Sequence, residues 1–377
     1  MRDRMICIEF VLLLASAVVA MPGCSDDSAA MVAEADVAID RAGEYLLGQQ
    51  GEDGLWRSGT YGVFRDGASL SPHVLTVLMV VKPDDPGTRR GVAAVAAWVE
   101  ADGSIGPRLV NPVYGAAEAS WVMLMAQRPE QMAFVEMVRR YRLDDTNGWS
   151  RDDPQFGGWS DAPFLPTRPR DDAVAATRDA NLSATLFAVG ALKLGGVGPG
   201  DPVMQDAAAF TLLCRNADGG FFFSPIDPAR NKAGPTGDDA PGRRFHSYGS
   251  ATADAVRLLL AAGRTPDDAH VAAARAWLVR HFDPASNPGT FNPDREVLRD
   301  SYYYYWTWSV AHAFDRLQHR TADWAPALAR ELIRRQNPDG SWTNRFTDGK
   351  EDDPLVATPL ALSALRICRD RMLEPVR

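Results

Sequence analysis

The residues of this 377-residue chain that could do chemistry stand in a few short stretches. His246, Tyr248, Ser250 and Asp254 fall within nine positions, and Ser250 and Asp254 are four apart, so a helix puts both on one face. His73 and Glu118 stand in two earlier apolar stretches. Asp254 and Glu118 are the candidate catalytic carboxyls, in the general acid or base role open to a carboxyl held in a dry pocket. From Tyr302 to Trp308, six aromatics occupy seven consecutive positions. A period of 3.6 places Tyr304, Trp308 and Ala311 on one face, with Tyr305 and His312 beside it. Such aromatics either wall a cavity suited to an apolar or cationic ligand or fill the core. Each polar residue here, taken alone, is equally at home as a satisfied cap or core position.

Past residue 30 nearly every segment carries apolar positions at helical spacing, and strand-like alternation is nearly absent, so the chain reads as all-α. It also repeats itself: a helix ends in a polar, Gly-rich turn and a second, more apolar helix follows. The first helices fall at 31–50, 86–100, 129–142, 200–216, 267–282 and 322–336, and the second at 68–82, 112–127, 178–194, 246–263, 301–319 and 354–371. Six helical hairpins of this kind predict a single (α/α)6 toroid over 31–371, with 143–177 and 222–245 as longer loops on one face. Every inner helix then enters from the same side. His246, Tyr248, Tyr304, Trp308 and Thr358 are expected to face one central space from those helix starts.

The turns share a pattern in Gln49-Gln50-Gly51-Glu52-Asp53-Gly54-Leu55-Trp56, Asn216-Ala217-Asp218-Gly219-Gly220-Phe221 and Gln336-Asn337-Pro338-Asp339-Gly340-Ser341-Trp342, with a weaker copy from Glu100 to Ile105. The Gly supplies a left-handed residue that stops the helix. Gln49 and Gln336 can bond free carbonyls, and Trp56 and Trp342 can pack back over the helix ends, with Gly54 and Gly340 making the turn.

These turns resemble the QW motif of squalene–hopene cyclases, and the likeness extends to the protein prenyltransferase β-subunits, which share the toroid. The resemblance implies the fold over most of 35–370 and an aromatic cavity for an isoprenoid or other apolar ligand. It does not carry the catalytic residues across. The cyclase acid motif Asp-x-Asp-Asp-Thr aligns with Asn181-Leu182-Ser183-Ala184-Thr185, so Ser183 stands at the acid position, with Asp179 just outside as a helix cap. Asp144-Asp145-Thr146 lacks the leading acid and reads as a solvated loop. The prenyltransferase zinc ligands align with Phe245 and Ser247, so no metal and no cofactor is expected.

Hydrophobic residues make up 46% of the chain and charged residues 24%, an ordinary globular mixture. Forty Lys and Arg against 49 Asp and Glu give a net charge of −9, which argues against nucleic acid as a partner. Residues 1–23 read as an export signal: Arg2 and Arg4 precede an apolar run from Phe10 to Ala20. Gly23-Cys24 resembles the lipobox of bacterial lipoproteins, which implies lipid on Cys24, a linker over 24–30 and a membrane-surface location, with plain secretion as the alternative. Residues 372–377 form a tail. Cys214 and Cys368 lie in apolar helical patterns as small core residues.

Two functions follow from these readings. One is an exported cyclase- or prenyltransferase-like toroid that binds an apolar small molecule or lipid. The other is a carbohydrate-active toroid enzyme, a lyase or glycosidase with paired carboxylates. An aromatic, closed cavity favours the first; an open one lined by Asp, Glu, Arg and His favours the second.

Overall fold

Helices that are apolar on every side must be enclosed by other helices, and helices with one apolar stripe must lie outside them. The computed structural model describes residues 24–106, 109–168, 179–237, 245–319 and 323–374, with the backbone alone for 24–28. In chain order it forms α1 (Cys24–Gly48), α2 (Leu70–Val81), α3 (Pro86–Ala96), α4 (Pro112–Met125), α5 (Gln131–Arg140), α6 (Leu182–Leu194), α7 (Pro202–Leu213), α8 (Gly249–Ala261), α9 (Ala269–His281), α10 (Glu296–Ser301), α11 (Tyr303–Arg316), α12 (Trp324–Arg335) and α13 (Pro354–Leu373). No strand longer than an isolated bridge occurs among the described residues.

The division into layers follows composition. Helix α8 buries every residue but Leu260, whereas α12 buries only the stripe Trp324, Ala325, Leu328, Ala329 and Leu332. Helices α2, α4, α6, α8, α11 and α13 pack in that order, and α13 returns to α2 to close the ring. The outer layer is α1, α3, α5, α7, α9 and α12, and the short α10 leads into α11. The fold is therefore the α/α toroid. Residues 24–30 are not a linker, because α1 begins at Cys24. Residues 1–23, expected to be an export signal, and the end of the expected tail, 375–377, lie outside the described residues.

Helix starts are written locally. Asp85, Asp201 and Asp353 each cap a helix that opens with Pro, accepting the N–H two residues on, and Asn181 caps α6 through Ala184. Asp179 therefore does not cap α6. The Asn side chain two positions later has the reach to the free N–H.

Each turn is clamped twice. Trp56 Nε1 donates to Leu46 O at 2.6 Å and Trp342 Nε1 to Leu332 O at 2.8 Å, tying the turn to the preceding outer helix. The backbone N–H of Trp56 donates to Ser71 Oγ, and that of Trp342 to Thr358 Oγ1, tying it to the following inner helix. Gly340 has φ +93°, and a Cβ there would lie 2.5 Å from Arg41 O, so only Gly fits. The glutamine that bridges to the next outer helix is Gln50, not Gln49: its Nε2 donates to Gly54 O and Gly87 O, as Gln336 Nε2 donates to Gly340 O and Ala38 O. The Gln to Gly spacing of four is the signal that selects Gln50. A further copy, Gly157-Gly158-Trp159, lies in the stretch expected to be a plain loop, with Trp159 donating to Val138 O through Nε1 and to Thr185 Oγ1 through its N–H.

Thr358 is fully buried inside this clamp. Replacing Thr358 with Val keeps its shape and leaves the Trp342 N–H unpaired, which should cost about 1–3 kcal/mol in urea unfolding, while Thr358→Ser should retain most of that stability.

Candidate functional site

All six inner helices begin at one end of the ring, so the side chains of their first turns converge on its axis. There those of α4, α6, α8 and α11 line a cavity of about 530 Å³. Tyr114 of α4, Ser183 of α6, Asp254 of α8 and Tyr305 of α11 form its floor, and the loop residues Asp161, Arg230, Lys232 and Tyr302 complete its wall.

A buried hydrogen-bond chain crosses the floor. Tyr305 donates its hydroxyl proton to Asp254 Oδ2 at 2.7 Å, which leaves Ser183 Oγ to donate to Tyr305 at 2.6 Å. Ser309 Oγ donates to Asp254 Oδ1, and Arg257 Nη1 lies 3.2 Å from Ser309 Oγ and 3.6 Å from Asp254 Oδ1. Asp254 is 2% exposed; burial raises its pKa above the ordinary carboxylate range, against the pull of Arg257 and the two hydroxyls. Burial also brings Arg257 down to about 10, which leaves it cationic at neutral pH.

Lys232 is the unusual cation. Its Nζ sits 4.0 Å from the centre of the Phe223 ring and 4.4 Å from that of Tyr302, and it has no salt bridge among the described residues, Asp254 and Asp161 acting on its charge from further off. Burial, with the nearby Arg230 charge second, lowers its pKa to about 8. Arg230 itself grips Asp161 through both ends of its guanidinium, at 2.8 and 2.7 Å.

Below the floor the aromatic rings close the axis. Tyr114 meets Phe187 at 4.9 Å, Phe187 stacks on Trp308 at 5.5 Å, Trp308 meets Tyr305 at 5.4 Å, and the Arg257 guanidinium lies 3.8 Å over Trp308. Beyond them a second chamber of about 370 Å³ opens among the later turns of the inner helices, with Trp308, Glu118 and His73 in its wall.

The expected site residues thus separate into groups. Ser183, Tyr248 and Asp254 line the first cavity; Trp308 and Glu118 line the second, where Glu118 Oε1 holds His73 Nδ1 at 2.8 Å. His246 lies in neither, but in a side pocket with Asp218 and Trp277. Thr358 of α13 is held by the Trp342 turn, and Tyr304 points outward, donating its hydroxyl to Thr343 O at 3.2 Å. The face of α11 that meets the axis is Tyr305, Trp308 and His312, one position on from the expected one. The cause is Glu351, which accepts the N–H groups of Tyr304 and Tyr305 and so fixes where α11 starts. The cluster 302–308 does both things open to it: Tyr303, Tyr304 and Trp306 are core, whereas Tyr302, Tyr305 and Trp308 face the axis. Sequence reasoning missed Arg230 and Lys232, which sit in a stretch set aside as a loop. It also missed Arg257, although an Arg three residues after an Asp on an apolar helix signals an internal pair. The side chain of Cys24 lies outside the described residues.

No family model and no curated protein matches the chain. Solved structures do, at the level of fold. A type II terpene cyclase from Scytonema in complex with geranylgeranyl dihydroxybenzoate is 12% identical at a TM-score of 0.57, with 92% of this chain and 100% of that one covered. The Candida albicans protein geranylgeranyltransferase-I complexed with GGPP is 15% identical at a TM-score of 0.51, covering 80% and 83%. A glycosidase variant is 14% identical at a TM-score of 0.52, covering 91% and 98%. At these identities the likeness establishes the toroid and not the chemistry.

The floor predicts non-additive substitutions. Asp254→Asn strands the Arg257 charge and should cost about 3–5 kcal/mol in denaturant unfolding, whereas Asp254→Asn with Arg257→Met should recover most of it.

Proposed function

We propose that this protein is an exported toroid that binds an isoprenoid carrying an anionic head in its first cavity. The observation that carries the reading is Lys232, a cation with no contact ion pair among the described residues, held between two aromatic rings in a cavity walled by further tyrosines. Holding an ammonium away from water without a contact ion pair is unfavourable, and a phosphate or carboxylate arriving there reduces the cost. Arg230 stands beside it, and the buried Tyr248 hydroxyl has no acceptor for its proton among the described residues, so both can add donors to the head group. Tyr114, Phe223 and Tyr305 offer ring faces to an unsaturated chain. The isoprenoid ligands named with two of the solved neighbours agree in chemical class.

Alkene protonation by the cyclase motif has no acid at Ser183, whose hydroxyl is committed to Tyr305. Asp254 is the carboxyl that reaches the cavity floor, and both of its oxygens accept hydrogen bonds, which suits holding charge more than releasing a proton. Binding without cyclisation is therefore the reading favoured here. The carbohydrate alternative has one observation in its favour, the three carboxylates Asp161, Asp254 and Asp348 around the same cavity.

Titration calorimetry with geranylgeranyl diphosphate tests the choice. Saturable binding is expected, with Lys232→Met weakening it at least about tenfold. Because Lys232 loses its proton near pH 8, the affinity should be full below that pH and fall as pH rises through it. Heat from an oligosaccharide and none from the diphosphate would favour the alternative.

Export and a lipid on Cys24 complete the proposal. No helix among the described residues is long and apolar enough to cross a membrane. A lipid anchor would then hold the protein at the surface, and Cys24→Ala should move it to the soluble fraction.

A further inference from the structure

The second chamber has a different character from the first, and it opens at the opposite end of the ring, where the inner helices finish. Its wall is apolar: Val77 and Val80 from α2, Trp121 from α4, Leu186 from α6, and Leu362 and Ile367 from α13. Its charged residues are nearly all positive. Lys193 ends α6, Arg316 ends α11 and Arg366 lies in the last turns of α13. Arg366 pairs with Asp370 at 2.9 Å, but neither Lys193 nor Arg316 has a salt bridge or hydrogen bond among the described residues. The one carboxylate in the wall, Glu118, is taken by His73.

Basic residues in last turns often do no more than answer the helix carbonyls. Two further facts point past that. Arg257 is 5% exposed and lines the chamber floor, yet its Nε has no hydrogen-bond partner. His312, in the same wall, is held well below its ordinary pKa by burial first and then by Arg257, Arg316 and Arg366 together. The chamber is thus a mainly apolar space under a positive potential, and an unpaired buried donor is a cost that a ligand can remove.

We propose that this chamber is a second ligand site, which takes the apolar chain of an anionic amphiphile and holds its carboxylate or phosphate at the rim formed by Lys193 and Arg316. The shape suits one chain better than a polar solute, since most of the wall is apolar. Position supplies a source for such a molecule. Arg369 of α13 pairs with Asp36 of α1 at 2.7 Å, so the start of α1 lies at this same end of the ring. Cys24 precedes Asp36 by twelve residues, about 18 Å of helix. If Cys24 carries lipid, the chamber mouth is turned toward the membrane surface.

The site does not depend on the reading of the first cavity, and one experiment keeps them apart. Purified full chain is titrated with palmitate and with hexadecanol, which share a chain and differ in charge. The expected result is saturable binding of palmitate with hexadecanol at least about tenfold weaker. Lys193→Gln with Arg316→Gln, both exposed and therefore tolerated by the fold, should bring palmitate down to the level of hexadecanol. Lys232→Met removes any palmitate taken by the first cavity, and the palmitate binding that the rim substitutions abolish should persist in it. Uptake of phosphatidylglycerol from vesicles without any binding of free palmitate would support the site and identify membrane lipid as its source. The proposal is overturned if neither ligand binds and no phosphatidylglycerol is taken up, if palmitate and hexadecanol bind equally, or if palmitate responds to Lys232→Met and not to the rim substitutions.

Discussion

One hydrogen bond, repeated around the ring, sets the level of everything on the axis. After a left-handed glycine, the backbone N–H of an aromatic residue donates to a hydroxyl on the following inner helix: Trp56 to Ser71 at 2.9 Å, and Trp159 to Thr185, Phe221 to Thr252 and Trp342 to Thr358 at 3.0 Å each. The same hydroxyls of Thr185 and Thr252 donate back to Asn181 O and Tyr248 O, so each is saturated within its hairpin. Sliding an inner helix by a single residue would strand a buried N–H, at a cost large against the net stability of a domain. Ser183 stands two residues before one of these anchors and Asp254 two residues after another. Their meeting at Tyr305 is a consequence of that registration.

The axis so assembled is divided by charge as well as by rings. Asp254 faces the first cavity and Arg257, one turn later on α8, faces the second. Across the partition Arg257 pulls the Asp254 pKa down and Asp254 holds the Arg257 pKa up, each against the effect of burial. The partition gives the two ends separate characters: loops that supply charged groups at the helix starts, and apolar walls with a basic rim at the helix ends. A shared toroid is compatible with cyclisation, prenyl transfer or glycoside hydrolysis among its solved neighbours, and what distinguishes this chain is the set of groups placed at those two ends.

Much of the architecture was legible in the residues. Helical periodicity and the Asp-Gly turns foretold twelve alternating helices, because hydrophobic spacing and left-handed glycines are local signals. Cys214 and Cys368 are buried and free, in keeping with their apolar helical setting. The candidate site was legible only in part. Asp254 could be singled out, since a carboxyl on an otherwise apolar helix is conspicuous. Thr358 and Tyr304 were misplaced, because which face of an inner helix meets the axis is decided by tertiary contacts. Those contacts are Trp342 for the first and Glu351, nearly fifty residues away, for the second. Lys232 was invisible for a different reason: its significance lies in the two rings that enclose it and in the lack of a salt bridge among the described residues, and neither is a property of its neighbours in the chain.

The central claim is that the first cavity receives an anionic head group at Lys232, with the chain laid against the tyrosines below. Difference density from crystals grown with geranylgeranyl diphosphate tests it most directly. The account predicts the diphosphate within hydrogen-bond reach of Lys232 and Arg230, with the prenyl chain beside Tyr114 and Tyr305. A ligand-free first cavity under saturating diphosphate, or a head group bound away from Lys232, would contradict it.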